Sequence, residues 1–500
     1  MQKRKVWQAQ KKSLFSNRMI KWSLILISLI FILFLVRPFA HQIQDFLKNT
    51  AKGTVKVLSQ TVGTPMKKDA YGNVNVLLVG YGGAGHGGGY LADSTIVASR
   101  NPESGALTMI SVPRDLYVRN PLWGAGRINS VFTQLYGKTK NLQEAGSWYA
   151  RELEKITGLD IPYYATIDFG GFKKVIDDLG GIDIDVPYSL HDSHYPDEHL
   201  RGFDPLHVEQ GLQHMDGKLA LKYARSRHAP GHASDFDRSF RQQLVINAIK
   251  DKLLSGGNLT ISRATELYES YTAMVNTNVS LNEMLWTIQY LGTIKMFPLG
   301  INSYYSYDSF KWAQKGSFLY NPQRELFGGA SVLLPFGASA GNLTHYETIH
   351  QYVDFVSHLQ GFLLDDARIQ VDNGIDKELL RQQGLQNARM AGKVAAKMKR
   401  FWMNVVESSN TEPQALTTLI INTENTEAQG FEGTITAIKN FATIDQVVYN
   451  TGIVKTIIDD YGNEVEVFTW ADVQLILGAS YLSSLQMQKF KPDELILQYR

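Results

Sequence analysis

The stretch NVNVLLVGYGGAGHGGGYLADSTIVASRNPESGALTMISVPRD, residues 73–115, decides the fold. NVNVLLVG (73–80) is an apolar run ended by glycine, the pattern of a buried strand. DSTIVASRN (93–101) and ALTMISVPRD (106–115) read as a second and third strand, and the turn residues NPESG lie between them. Helices and strands alternate beyond this sheet. Leu142, Tyr149, Leu153 and Ile156 share one face and predict a helix over Leu142 to Ile156. Tyr163 to Asp168 follows as a strand. Phe172, Val175, Ile176 and Leu179 then mark a short helix that Gly180 stops. IDIDVP (182–187) is a further strand, and Ser239 to Leu254 a further helix. This order predicts an α/β domain with a mixed central sheet flanked by helices. It is not a strict βαβ repeat, so a doubly wound fold is not predicted.

Working outward, ASVLLPFG (330–337) and a helix near Tyr346 to Leu359 extend this domain over 73–360. Residues 366–500 are expected to form a small α/β domain of their own. Its elements are the strand and turn IQVDNG (369–374), the helix ARMAGKVAAKMKRF, and the strand-like runs WMNVVESSNT, LTTLIINT and VQLILG. The tail shows no clustered Arg/Asp pattern, so a truncation near Gln360 is expected to fold and keep its chemistry. In the other direction, 41–72 reads as a polar stalk. Trp22 to Val36 carries no charge, and Met19 to Ala40 reaches the ~20 residues a spanning helix needs. The apolar run is long for a signal peptide, and RPFAHQ offers no small-x-small cleavage site, which favours an uncleaved transmembrane anchor.

Seven basic residues and no acidic one precede Trp22. That flank predicts a cytoplasmic tail, 1–18, with the bulk of the chain outside the membrane. It also holds the whole basic excess. The full chain has 50 Lys+Arg and 48 Asp+Glu, which leaves 43 basic against 48 acidic residues after the tail. The pI therefore gives no support to a nucleic-acid partner. With no cysteine, disulfides, thiolate zinc sites, iron–sulfur clusters and a cysteine nucleophile are excluded.

Gly80 to Gly85 spells G-x-G-x-x-G, but a strand follows where a dinucleotide site needs a helix. The loop is read instead as a backbone able to approach a phosphate. Arginines point the same way. Arg114 ends a strand in SVPRD, Arg225 and Arg227 lie in KYARSRH, and Arg238 and Arg241 lie in DFDRSFRQQ behind Asp235 and Asp237. Guanidinium groups match phosphate oxygens with planar pairs of donors. By themselves these residues predict a membrane-anchored α/β domain with an oxyanion site.

The spelling resembles the LytR–CpsA–Psr family of cell-wall glycopolymer transferases. The matching segments run in order from about 75 to 255: NVLLVG with its Gly-rich loop, LADSTIVASRNPESG, MISVPRDLYV, GRINSVF, ITGLDIPYYATIDFGGFKKVIDDLGGIDIDV, GLQHMDGKLALKYARSRH and SDFDRSFRQQLVINAIKDKL. The tail more weakly resembles the C-terminal domain often attached to this family. The resemblance implies a groove for a polyprenyl chain and transfer of a glycan from a polyprenyl-pyrophosphate carrier to peptidoglycan through a phosphodiester. It places a Mg²⁺ ligand at Asp93 and pyrophosphate donors at Arg114, Arg225, Arg227, Arg238 and Arg241, with Gln242 beside them. Asp235 falls where a base or positioning residue is expected. The family's first-strand Gly-x-Asp-x-Arg is replaced here by Gly80-Tyr81-Gly82, so one magnesium carboxylate is missing and His86 is a candidate substitute. A lipid-linked-glycan binding module and a polyprenyl-pyrophosphate hydrolase remain open beside the transferase.

Overall fold

The computed structural model describes residues 63–485 except 87, 121–123, 198–201, 228, 231–234, 256–273, 289–292, 302–317, 386–388, 423–429, 451–453, 459–463 and 469–470. The expected anchor, Met19 to Ala40, lies outside the described residues. Among the described residues no helix is long and apolar enough to cross a membrane.

The first strands are β1 (Val74–Tyr81), β2 (Ala92–Arg100), β3 (Ala106–Ser111) and the hairpin β4 (Tyr117–Asn120) and β5 (Gly124–Arg127). They are followed by β6 (Tyr163–Asp168), β7 (Ile182–Val186), β8 (Leu190–Asp192), β9 (Leu206–Val208), β10 (Gly211–Met215), β11 (Val275–Thr277) and β12 (Lys295–Gly300). Six of them form one sheet in the order β11-β6-β1-β2-β3-β12. β1 pairs antiparallel with β2 and parallel with β6, so the sheet is mixed. Both its faces are covered, which is why β1 is apolar without a break from Val76 to Val79. The Ile128–Thr139, Leu142–Thr157 and Glu347–His358 helices pack on one face. The Phe169–Asp178, Gly217–Arg225 and Asp235–Ser255 helices pack on the other.

Local chemistry sets these boundaries. The Asn141 side chain accepts the backbone N–H groups of Gln143 and Glu144, and Gly158 closes the same helix at φ 77°, where a Cβ would be strained. Asp168 ends β6 and caps the next helix through Gly171 N–H, so the chain turns from strand to helix with no loop. The long helix begins at Asp235, four residues earlier than its apolar pattern indicates. Gln243 on that helix is buried and donates to Met109 O (3.0 Å) and Leu299 O (2.8 Å), which ties the helix to β3 and β12. Mutual satisfaction of a buried amide and two carbonyls fixes the helix's rotation above the sheet.

The short pair β13 (Leu319–Tyr320) and β14 (Leu334–Pro335) precedes a second sheet. That sheet is built from β15 (Ile369–Asn373), β16 (Val405–Asn410), β17 (Thr418–Asn422) and β18 (Gln446–Asn450). After the hairpin β19 (Val454–Ile458) and β20 (Glu464–Phe468), β21 (Val473–Leu477) completes the order β16-β15-β21-β17-β18. The two sheets do not have separate cores. One buried cluster extends from Leu77 to Tyr481. The Phe355 ring lies 5.1 Å from both Phe362 and Phe401 and 5.6 Å from Phe441. Gln360 is buried, and its Nε2 donates to Ser99 O at 3.0 Å. A cut near residue 360 would therefore open a continuous apolar seam, contrary to the expectation of a freely removable tail.

Candidate active site

Asp93, Arg114, Arg225, Arg227, Arg238 and Gln242 line a single cavity of about 220 Å³, together with Asp192 and Tyr195. Four separate segments supply them. Asp93 stands near the start of β2, Arg114 follows β3, and Arg225 and Arg227 sit at the C-terminal end of the Gly217–Arg225 helix. Arg238 and Gln242 are four apart on the Asp235–Ser255 helix and so share a face. Arg114 Nη1 donates to Asp93 Oδ1 at 2.8 Å, and Arg238 Nη2 reaches Asp93 O at 3.4 Å. Arg225 Nη1 donates to Tyr195 Oη at 3.1 Å, and its Cζ lies 4.1 Å over the Phe169 ring. Burial pushes the Tyr195 hydroxyl's pKa up, and the neighbouring Arg225 charge opposes part of that rise. Asp192 is buried and accepts Ser226 Oγ (2.7 Å) and Arg227 N (3.2 Å), which holds the Arg225–Arg227 segment in place. Ser94 Oγ donates to Gln242 Oε1 at 2.8 Å and links β2 to the long helix. Among the described residues, four guanidiniums thus face two carboxylates.

Two further cavities adjoin this one. An apolar cavity of about 120 Å³ lies between β1, β6 and the long helix, lined by Leu78, Ile96, Ile167, Phe172, Val245 and Ile246 among others. It shares Asp93, Arg225 and Gln242 with the arginine cavity. It continues through Leu78 and Ile246 into another apolar space lined by Met66, Val76, Leu107 and Met296. On the other side, a mixed cavity of about 210 Å³ lies against the Gly-rich loop and includes Lys173, Asp197, Asp204, Lys218 and Lys222. Arg225 lines the arginine cavity, the apolar cavity beside it and this mixed cavity. The loop is folded tightly: Gly83 N donates to Gly89 O at 2.7 Å, with φ 89° at Gly83. A Cβ added at Gly82 would lie 3.0 Å from His86 Nδ1, so the imidazole already occupies the direction a carboxylate there would take. His86 Nε2 accepts from Arg225 Nη2 at 3.3 Å and its ring meets Phe169 edge-on.

The LytR_cpsA_psr family matches residues 40–315, more than half of the chain. The chain belongs to this family. It is 32% identical over 197 residues to the polyisoprenyl-teichoic acid–peptidoglycan teichoic acid transferase TagV of Bacillus subtilis, covering 39% of this chain and 46% of that protein. It is 29% identical over 247 residues to the regulatory protein MsrR of Staphylococcus aureus, covering 49% and 68%. The chain thus spans about half the length of TagV. Superposed on the crystal structure of B. subtilis TagV, it gives a TM-score of 0.40 at 25% identity, with 58% of this chain and 98% of the other covered.

Within this LytR_cpsA_psr chain, one arginine departs from its expected place. Arg241 is fully buried and does not line the arginine cavity. Its Nε donates to Tyr223 O at 2.9 Å and its Nη2 to Ser226 O. Three residues of helix separate it from Arg238, enough rotation to aim it at the carbonyls ending the Gly217–Arg225 helix, where a cation suits the helix dipole. In this structure it braces the backbone that carries Arg225 and Arg227 instead of lining the cavity. Asp235 begins the long helix, and its side chain lies outside the described residues. Asp115, beside Arg114, pairs with Arg127 Nε at 3.3 Å. Asp192 and Tyr195 were not singled out from the sequence. The signal was there for Asp192: in the alternation of LHD it shares the inward register of Leu190, and an inward carboxylate requires donors.

Proposed function

We propose that this protein transfers a glycopolymer from a polyprenyl-pyrophosphate carrier to peptidoglycan, forming a phosphodiester. The observation that carries the reading is Arg225's position at the junction of apolar, arginine-lined and mixed cavities. A lipid tail suits the first, a pyrophosphate the second and a sugar the third. The positive excess among the described residues of the arginine cavity suits the negative charge of a pyrophosphate diester. The family membership and the named activity of TagV support the same reading.

In this reading an acceptor sugar hydroxyl attacks the phosphorus that bears the glycan. A new P–O bond forms, the bond from that phosphorus to the bridging oxygen breaks, and polyprenyl phosphate leaves. Arg114, Arg225, Arg227 and Arg238 neutralise charge on the phosphoryl oxygens and on the leaving group. The hydroxyl proton passes to a carboxylate, a role proposed for Asp235. Tyr195 and Asp192 position the arginines. Asp93 lines the cavity with one oxygen engaged by Arg114, and without substrate the surrounding guanidiniums oppose a divalent cation. The site therefore fits Mg²⁺ held by Asp93 together with substrate phosphates. Bound there, the ion would add charge neutralisation at the phosphoryl oxygens.

Met19 to Ala40 is proposed as the anchor that keeps the apolar cavities near the lipid, with residues 41–72 as stalk, 73–360 as catalytic domain and 366–500 as a unit for placement at the wall. The test is incubation with a polyprenyl-pyrophosphate oligosaccharide and peptidoglycan fragments, with and without Mg²⁺. A phosphodiester-linked product supports the transferase. Polyprenyl phosphate released without that product identifies a hydrolase, and binding without turnover identifies a binding module.

A further inference from the structure

We propose that the β8–β9 hairpin carries a transition-metal site of the zinc class, formed by His191, His207 and Glu209 and separate from the arginine cavity. His191 and His207 are direct cross-strand partners in this antiparallel pair. Both point outward, while Leu190, Asp192, Leu206 and Val208 point in. Two imidazoles are thus presented side by side by backbone register. Glu209 lies two residues past His207, on the same outward side.

The donors converge. His191 Nδ1 and His207 Nδ1 are 2.6 Å apart, and their ring centroids 3.9 Å. Glu209 Oε1 lies 2.6 Å from His207 Nε2. One donor atom from each residue can be chosen so that all three lie within 4.8 Å of one another, and no other such group of three occurs among the described residues. Glu209 is itself oriented, since its Oε2 accepts Ser189 Oγ at 2.8 Å and Ser189 Oγ in turn accepts Gln210 N at 3.0 Å. Two imidazole nitrogens this close share one proton or set lone pairs against each other. A cation in place of that proton relieves the contact. Tetrahedral zinc holds nitrogen at ~2.0–2.1 Å, which sets neighbouring donors roughly 3.3 Å apart, so the two Nδ1 atoms need to open by less than an ångström, and Glu209, whose short contact is to the other nitrogen of the His207 ring, must swing to the Nδ1 side. All three side chains are exposed and can make these adjustments. Two imidazoles and a carboxylate select Zn²⁺, Cu²⁺ or Ni²⁺ over Mg²⁺ and Ca²⁺. The fourth position is left to water.

The site has a route to the active site. Asp192 follows His191 directly, faces the opposite side of β8, and holds Ser226 and Arg227. A metal that clamps β8 to β9 steadies the strand that delivers Asp192.

The experiment is calorimetric titration of the tag-free full chain in detergent with Zn²⁺ and, separately, Mg²⁺. The expected result is one saturable Zn²⁺ site per chain, no Mg²⁺ uptake at it, and a higher melting temperature with Zn²⁺. His191→Ala and His207→Gln should each weaken binding by at least about tenfold, and Glu209→Gln by a comparable factor. Their metal-free melting curves should match wild type, because the side chains are exposed. His214→Ala removes an exposed histidine that pairs with Asp183 alone and should leave binding unchanged. Co²⁺ should give the visible band of a four-coordinate site in wild type and lose it in His207→Gln. Absence of Zn²⁺ binding, binding indifferent to His207→Gln, or loss of binding in Asp93→Asn would each overturn the proposal.

Discussion

Arg225 is the sharpest single test of the lipid–pyrophosphate reading, because it borders all three cavities. In the free protein its guanidinium donates to Tyr195 Oη and stacks over Phe169 at 4.1 Å. Stacking holds the plane of the group, and planarity lets it present paired donors to a phosphate. Arg225→Ala removes at least one charge-assisted hydrogen bond, about 1.5–3 kcal/mol. At ~1.4 kcal/mol per factor of ten, turnover should fall about tenfold to a hundredfold. Arg225→Lys keeps the charge but loses the fork and the stacked plane, so most of that loss should persist. The loss to the fold itself comprises the cation–π contact, about 0.5–2 kcal/mol, and the hydrogen bonds to Tyr195 Oη and His86 Nε2. The assay is turnover of a lipid-linked glycan analogue, with a melting curve for each variant. If Arg225→Lys turns over at the wild-type rate, the planar group is irrelevant and the phosphate lies elsewhere. If both variants melt far below wild type, Arg225 is a structural residue and the placement of the pyrophosphate is wrong.

The other expectations concern neighbouring parts. Asp192→Ala orphans Ser226 Oγ and the Arg227 N–H and should cost about 1–3 kcal/mol of stability along with turnover, read from denaturant melts beside kinetics. A chain ending at Gln360 uncovers Phe355 and its aromatic neighbours, and should aggregate or bind a hydrophobic dye instead of giving a cooperative melt. Gly82→Asp must push the His86 ring aside by a few tenths of an ångström; if it does, Mg²⁺ should activate at lower concentration than in wild type, whereas an unchanged metal dependence argues against a first-strand ligand position. Protease shaving of intact cells should remove residues 41–500, and full protection would reverse the proposed orientation.

Much of this site was legible from residue type and position. Arginines at strand and helix ends beside a glycine loop indicate an anion site, and Arg114, Arg225, Arg227 and Arg238 do line the arginine cavity; Asp93 followed only from the family resemblance, and Asp192 from neither. The Ile128–Thr139 helix could have been read as well, because Ile128, Val131, Phe132 and Leu135 follow the helical spacing and are all buried. The strand Lys295–Gly300 gave no such signal; it exists because β3 offers it a parallel edge.

What the sequence determined by itself is whatever local periodicity and capping dictate: the strands read at 73–80 and 93–101, the helix stopped at Gly180, and the sheet's buried character. Those depend on backbone sterics and on which side chains shun water within a few residues. Tertiary structure decided the rest. Arg238 and Arg241 are equivalent as sequence, three residues apart with the same charge. One faces the cavity and the other is buried against backbone carbonyls, because a helix rotates about 100° per residue and only its packing against the Gly217–Arg225 helix says which direction is the site. The shared core across residue 360 has the same origin. Burial is a property of surfaces that meet, and Phe355 carries no mark along the chain of the Phe401 and Phe441 rings it will touch.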